Sequence, residues 1–303
     1  MGCELCPRKC GVDRNHGERG YCQMTSEIVV ARVAPHYWEE PCLSGAKGSG
    51  TVFFTGCNLH CVYCQNEKIS RGKVGKPMTV SELSEAFLSL QNRGCHNINL
   101  VTPSHYAEQI AEALRLAKAS GLNIPIVYNT SSYECEQTVR KMEGLVDIYL
   151  ADLKYLSEGL AGKYSHAENY PQTATAAIAE MVRQTGSVCY ETEEGTVANA
   201  TEYPDGALMK RGVIVRHLLL PGQAEEAKRV ISYLYETYGD RIAISIMNQY
   251  TPMPQVENDP ELNRRVTDEE YEEVVNYAIE LGVGHGFLQE GETASESFIP
   301  DFE

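Results

Sequence analysis

Phe53-Phe54-Thr55-Gly56-Cys57-Asn58-Leu59-His60-Cys61-Val62-Tyr63-Cys64-Gln65-Asn66 is the stretch on which the reading of this chain turns. Residues 51–55 have the short, unbroken apolar character of a buried strand. They run straight into three cysteines spaced C-x3-C-x2-C. Three thiolates in so tight a loop can each hold one iron of a 4Fe-4S cubane, which leaves the fourth iron without a protein ligand. An open metal position is what catalysis requires, because a reactant must reach the metal. A zinc knuckle would need a fourth ligand, and His60 could supply it on spacing alone; simple burial of the thiols is the other alternative. Cys57, Cys61 and Cys64 are therefore the candidate catalytic and metal-ligating residues.

Outward from the loop the chain alternates. Thr79 with Glu82 three residues on forms a capping box, and Gly94 marks the end of the helix it opens. Residues 97–102 read as a strand, and Ser104 reads as the N-cap of a helix running to about residue 120. Strands follow at 124–129, 146–152, 212–220 and 242–247, with helices between them near 134–142, up to 185, and at 224–238. Thr267 and Glu270 open a last helix that Gly282 closes, and a short strand lies near 286–288. Residues 187–212 interrupt the rhythm as a hairpin turning near Glu194-Gly195. Continuous apolar strands alternating with amphipathic helices mean a parallel sheet covered by helices. Six strand–helix pairs suit an open, partial (β/α)6 TIM-like barrel, an α/β fold whose active site lies at the C-terminal ends of the strands.

Residues 1–45 look different. Cys3, Cys6, Cys10 and Cys22 are spaced C-x2-C-x3-C-x11-C in a stretch with little periodicity. Four thiolates can close a structural zinc site or hold a second, complete 4Fe-4S cluster. The expected organisation is a cysteine-rich metal-binding segment, 1–45, and a barrel domain, 46–303. The segment is expected to fold only with metal and to leave the barrel loop independent of it. Cys42, Cys95, Cys135 and Cys189 stand alone and read as small buried hydrophobes.

The 303 residues are 43% hydrophobic and 22% charged, with a formal net charge of -16. Such a surface repels phosphate backbones, so no nucleic-acid partner is expected. No apolar run approaches the roughly 20 residues that span a bilayer, and no leader is visible at the start, so a cytoplasmic protein is expected. Eight of the 11 cysteines fall within the first 64 residues, a clustering that in a reducing compartment means metal or redox chemistry.

Several residues stand at strand ends in the pattern. Lys154 suits a carboxylate and Asp152 an ammonium group. Arg216 lies inside an apolar strand, where a charge needs a ligand or an ion-pair partner. His217 alternates to the other face and reads as structural. Gln249 and Tyr250 end the sixth strand, placed for substrate contact or for packing.

Taken together these residues resemble the radical S-adenosylmethionine (SAM) superfamily, and within it the PflX-like branch related to pyruvate formate-lyase activating enzyme. The likeness is carried by residues 3–12, Glu39-Glu40-Pro41, the cysteine loop ending Gln65-Asn66, residues 99–103 and 128–131, Asp152-Leu153-Lys154, and residues 216–222. The resemblance implies a 4Fe-4S cluster that chelates SAM and cleaves it reductively to a 5'-deoxyadenosyl radical, which takes hydrogen from a substrate. It implies that Tyr63 places its ring near the adenine. Thr102 and Ser104 stand where relatives carry a Gly-Gly-Glu motif for the SAM amino group. Asn129 and Thr130, with Asp152 and Lys154, face the methionyl group, and Asn129 replaces an Asp that helps to hold a cation in relatives. Arg216 joins this cofactor set. The implied partners are a glycyl radical enzyme or other polypeptide and a reductant such as flavodoxin or ferredoxin. The alternatives are a small-metabolite substrate, or a non-catalytic iron-sulfur or zinc protein that senses or carries electrons.

Overall fold

A computed structural model describes residues 2–289; the last part of the expected barrel domain lies outside the described residues. Eleven strands are described: β1 Ile28–His36, β2 Ser49–Phe54, β3 Lys76–Met78, β4 Ile98–Val101, β5 Ile126–Thr130, β6 Ile148–Asp152, β7 Cys189–Thr192, β8 Gly195–Ala198, β9 Leu208–Leu218, β10 Ala243–Met247 and β11 Gly286–Leu288. The main sheet runs β11-β10-β9-β6-β5-β4-β2-β1-β3. From β2 to β11 every pairing is parallel and follows chain order. A parallel neighbour needs a crossover, and helices supply it. Among the described residues the end strands β3 and β11 do not pair with each other, so the barrel stays open.

The strands read as continuously apolar because both faces are buried. Val52, Phe54, Leu100, Tyr128, Tyr149, Val213, Val215 and Ile244 pack with the helices. Val127, Ile148, Leu150, Ile214 and Ala243 point the other way and join Cys42 and Leu43 in a second apolar cluster that floors the lumen. Both expected capping boxes form, Thr79 with Glu82 and Thr267 with Glu270. The hairpin also forms where expected, as β7 against β8.

Two expectations need correction. Residues 28–36, inside the stretch read as lacking a core, form β1, which pairs antiparallel with β2 from Val30 opposite Phe54 to His36 opposite Ser49. The barrel sheet therefore begins well before residue 46. Most of β1 is only half-buried, so its apolar residues lack the unbroken run that marks an inner strand. Ser104 does not cap the following helix. It opens a 3-10 turn, Ser104–Tyr106, and the helix Ala107–Ala119 begins after Tyr106 without a side-chain cap. The chain leaves β4 through Thr102 at φ +59°, which inserts that extra turn.

Candidate active site

The cysteine loop leaves the C-terminal end of β2. Gly56 turns it at φ +95°, and a Cβ there would lie 2.3 Å from Met24 Cγ and 2.9 Å from Cys22 O. Only glycine lets the N-terminal segment approach this closely. Cys57, Cys61 and Cys64 are free, half-buried thiols. Cys61 Sγ lies 3.0 Å from Ser165 Oγ. Burial pushes the Cys64 thiol up to about 12, with the Cys61 and Cys57 sulfurs adding to it. Burial also raises Cys61, against the pull of Lys154. Cys61 and Cys64, both pushed up by burial and by neighbouring sulfurs, would ionise readily only beside a metal's positive charge, so the donor set fits an iron-sulfur cluster. For a zinc knuckle the fourth ligand would be His60. His60 stacks on Tyr21, with ring centroids 4.8 Å apart, and among the described residues no three His, Cys, Asp or Glu side chains converge on a single ion.

The loop sits over a cavity of about 470 Å³ inside the barrel, lined by Cys61, Tyr63, Cys64, Asn129, Asp152, Lys154 and Arg216 among others. The register of the parallel ladder places Asp152 of β6 opposite Arg216 of β9. Arg216 Nε donates to Asp152 Oδ1 at 2.9 Å, one terminal nitrogen to Asn129 Oδ1 at 2.8 Å, and the other to Glu39 Oε2 at 3.2 Å. Lys154 Nζ donates to Asp152 Oδ2 at 2.8 Å. Burial works to raise the Asp152 carboxyl, but the Lys154 and Arg216 charges outweigh it and hold it below the ordinary range. Burial likewise opposes charge on Lys154, and Asp152 and Cys61 keep it raised. The expected partner of Arg216 is thus an acidic pair, and His217 is structural, its Nδ1 2.8 Å from Leu153 O. Gln249 lines the cavity, whereas Tyr250 is buried and donates to Leu262 O.

The cavity also holds residues to which the sequence assigned no role. Glu39, Glu40, Trp38 and Ser245 line it. The Glu39-Glu40-Pro41 triplet was the available signal, because two consecutive carboxylates beside a proline in a poorly polar stretch call for a partner. Tyr63 lines the cavity too, its hydroxyl 2.5 Å from that of Tyr155.

Thr102, Ser104 and Thr130 do not line this cavity. The hydroxyls of Ser104 and Thr130 both donate to Glu134 Oε1, the latter at 2.6 Å, and Tyr128 adds a long contact at 3.5 Å. Glu134 Oε2 is buried without a partner. Burial raises its carboxyl to about 7, against the three hydroxyls. A raised carboxylate is neutral in the fold and charged when unfolded, so the folded state loses stability as pH climbs from about 4.5 to about 7. The loss amounts to about 3 kcal/mol. Glu134→Gln keeps an acceptor for the hydroxyls and removes the titration. Its denaturation midpoint, followed from pH 4.5 to 7, should fall less than the parent's, and equal slopes would refute this account.

At the N-terminus, burial pushes Cys6 up to about 12, and Cys22 and Cys3 add to the shift. Cys22 is raised by burial and by Cys3 and Cys10. Cys10 Sγ packs on Gly20, so the four thiols share one small region. Cys42 and Cys95 are buried as expected, and Cys135 and Cys189 are half-buried.

The segment is bolted to the cysteine loop. Arg8, between Cys6 and Cys10, donates to Asn58 O at 2.8 Å and to His166 O at 2.6 Å. It makes longer bonds to Ser165 O and Leu59 O, and its guanidinium lies 3.9 Å over the Tyr21 ring. Tyr21 in turn donates to Leu59 O at 3.1 Å. Arg14 donates to His105 O at 2.6 Å, and His105 Nε2 bonds Thr55 O at 2.7 Å. The expected independence of the two cysteine groups does not match this geometry.

An open parallel barrel whose first parallel strand ends in a three-thiol loop over a charged lumen defines a class of metal-cluster barrel enzymes. Residues 51–189 match the Radical SAM superfamily model. Over that stretch, just under half of its length, the chain is similar to the radical SAM superfamily, whose chemistry uses a 4Fe-4S cluster and SAM. It is 26% identical over 285 residues to an uncharacterised protein of Methanocaldococcus jannaschii, covering 91% of this chain and 74% of that one. SuiB of Streptococcus suis bound to its precursor peptide SuiA superposes with a TM-score of 0.51 at 12% identity, covering 78% of this chain and 47% of SuiB. SuiB bound to S-adenosylmethionine superposes at 0.50 and 11% identity, covering 78% and 49%. This chain spans about half the length of SuiB, and at these identities the likeness shows the fold. No helix among the described residues is long and apolar enough to cross a membrane.

Proposed function

We propose that this protein is an activating-enzyme-like radical SAM oxidoreductase that takes hydrogen from a polypeptide, a glycyl radical enzyme being the type of substrate expected. The observation that carries the reading is that the Cys57–Cys64 loop brings Cys61 and Cys64 into the cavity lined by Asp152, Lys154 and Arg216. When bound, the reduced cluster and SAM supply a 5'-deoxyadenosyl radical. The chain's own residues do the rest. The three thiolates hold the cluster with one iron open. Lys154 and Arg216 present cations to the methionyl carboxylate, and Asp152 and the Asn129 oxygen accept from its ammonium. Tyr63 and the lumen wall keep water from the reacting centre. The four N-terminal cysteines would hold a second centre, with no ligand position left open for SAM.

A polypeptide substrate is favoured over a free metabolite by the size of the lumen. The cavity of about 470 Å³ is of a size to hold one small ligand such as SAM, and a polypeptide would reach it by an inserted side chain. That SuiB is seen with a precursor peptide is consistent with a barrel of this kind taking a peptide. The defining experiment is anaerobic: with dithionite and SAM the protein should release 5'-deoxyadenosine, and none released would sink the reading.

The cofactor roles have their own test. Asp152→Ala and Lys154→Ala each remove a charge-assisted contact of about 1.5–3 kcal/mol. The SAM dissociation constant should rise roughly tenfold to a hundredfold while iron content stays as in the parent. SAM affinity equal to the parent's in both variants would place the methionyl group elsewhere.

A further inference from the structure

One acidic group in the lumen has no counterpart. Glu40 is the N-cap of the short helix Pro41–Ser44, yet its side chain makes no cap hydrogen bond. Its carbonyl alone accepts from Leu43 and Ser44. The carboxylate lines the lumen instead, near its own N–H and the Ser245 hydroxyl of β10, both of which favour its charged form. The residue is 8% exposed and lines the cavity, and its Oε2 is buried without a partner.

The cations nearby are engaged elsewhere. Arg216 directs its three nitrogens to Asp152, Asn129 and Glu39. Lys154 holds Asp152. Glu39 is answered by Arg216 and by Asn99 Nδ2 at 3.0 Å. Glu39, Glu40 and Asp152 line the wall with His36, Lys154 and Arg216; the Arg216 charge reaches Glu40, but its nitrogens bond the other groups. A buried carboxylate without a partner is costly. Burial raises the Glu40 carboxyl, the Arg216 charge opposes this and Glu39 adds to it; a further cation at the unpartnered Oε2 would hold the carboxylate ionised.

Glu40 borders the cofactor set on its β10 side, since Ser245 pairs with Arg216 in the parallel register. Asn129, Asp152 and Arg216 belong to β5, β6 and β9, whereas the Glu40 partner Ser245 lies on β10, beside the open edge at β11. Trp38, 61% exposed, lines the same cavity. Trp38 and Glu40 thus share the cavity wall, and indole rings attract ammonium and guanidinium groups.

We propose that Glu40 receives a cationic group of the substrate, which enters the lumen past Trp38. On a polypeptide this is a lysine or arginine side chain, and it anchors the residue from which hydrogen is taken. The inference rests on the radical SAM reading of the same cavity.

The test uses the cluster-loaded full chain, with and without SAM, and three probes: n-butylammonium, n-butylguanidinium and neutral n-pentanol. Binding is read by ligand-observed NMR. The parent should bind at least one cation about tenfold more tightly than pentanol, the size of one charge-assisted contact. Glu40→Gln keeps an acceptor for Ser245, and its cation preference should fall to near one. Absence of any preference in the parent overturns the proposal without recourse to a variant. Preference retained in Glu40→Gln also overturns it. SAM affinity measured in the same samples separates the remaining cases. If SAM affinity falls in Glu40→Gln, Glu40 faces the sulfonium of SAM rather than substrate, and the proposal fails. A parent that prefers the cation but takes no SAM supports the Glu40 site and sinks the proposed function instead.

Discussion

Cys57→Ala, Cys61→Ala and Cys64→Ala combined should release no 5'-deoxyadenosine under conditions in which the brown, anaerobically purified parent does. The expected loss is complete, because in the proposed cluster each thiolate would hold a different iron and none of the three has a substitute in reach. His60, the other ligand type in the loop, stacks on Tyr21. The fold itself should tolerate the change, since each alanine removes one sulfur from a half-buried site and leaves the backbone turn at Gly56 intact. Circular dichroism of the metal-free parent and variant should therefore agree. Iron should drop by the amount one cubane holds. SAM cleavage at the parental rate would overturn the assignment of the loop.

The second large effect is expected at Arg8, a residue of the N-terminal segment that contacts no cavity-lining thiol. Arg8→Ala withdraws the two short bonds to Asn58 O and His166 O and the longer ones to Leu59 O and Ser165 O. It also removes the cation from the Tyr21 ring. Hydrogen bonds to a charged donor are worth about 1.5–3 kcal/mol each, so a loss on the order of 3 kcal/mol is expected even after partial exposure. Asn58 and Leu59 lie inside the cysteine loop, so loosening their carbonyls also loosens the ligands. The variant should show a lowered thermal midpoint together with reduced iron at the loop, and Arg8→Lys should recover only part of both. A parental midpoint with parental iron would mean that the clamp is incidental. The same geometry revises the outlook for Cys6→Ala with Cys10→Ala. Those cysteines flank Arg8, so disordering them should disturb the barrel cluster as well.

Much of this site was legible in one dimension. The C-x3-C-x2-C loop, the strand before it, the capping boxes at Thr79 and Thr267 and the alternation of strand and helix are all written within a few residues of one another. Arg216 could be flagged from its neighbours alone, since a lone charge in an apolar strand requires a partner. Its partner could not be named, because Asp152 lies 64 positions away.

What the chain determines by itself is therefore what depends on local spacing: the thiol loop, the helix starts and the periodicity of a sheet buried on both faces. The tertiary structure alone decided what depends on which strand stands beside which. Parallel register brought Asp152 opposite Arg216. The extra turn after Thr102 sent Ser104 to Glu134 instead of to a helix end or the cofactor cavity. Antiparallel addition of β1 carried Glu39 and Glu40 into the lumen and set Arg8 against the cysteine loop. Hydrogen bonds and ion pairs act over a few ångströms of space without regard to separation along the chain. Contacts between residues far apart in sequence thus exist only once the sheet has brought their strands together.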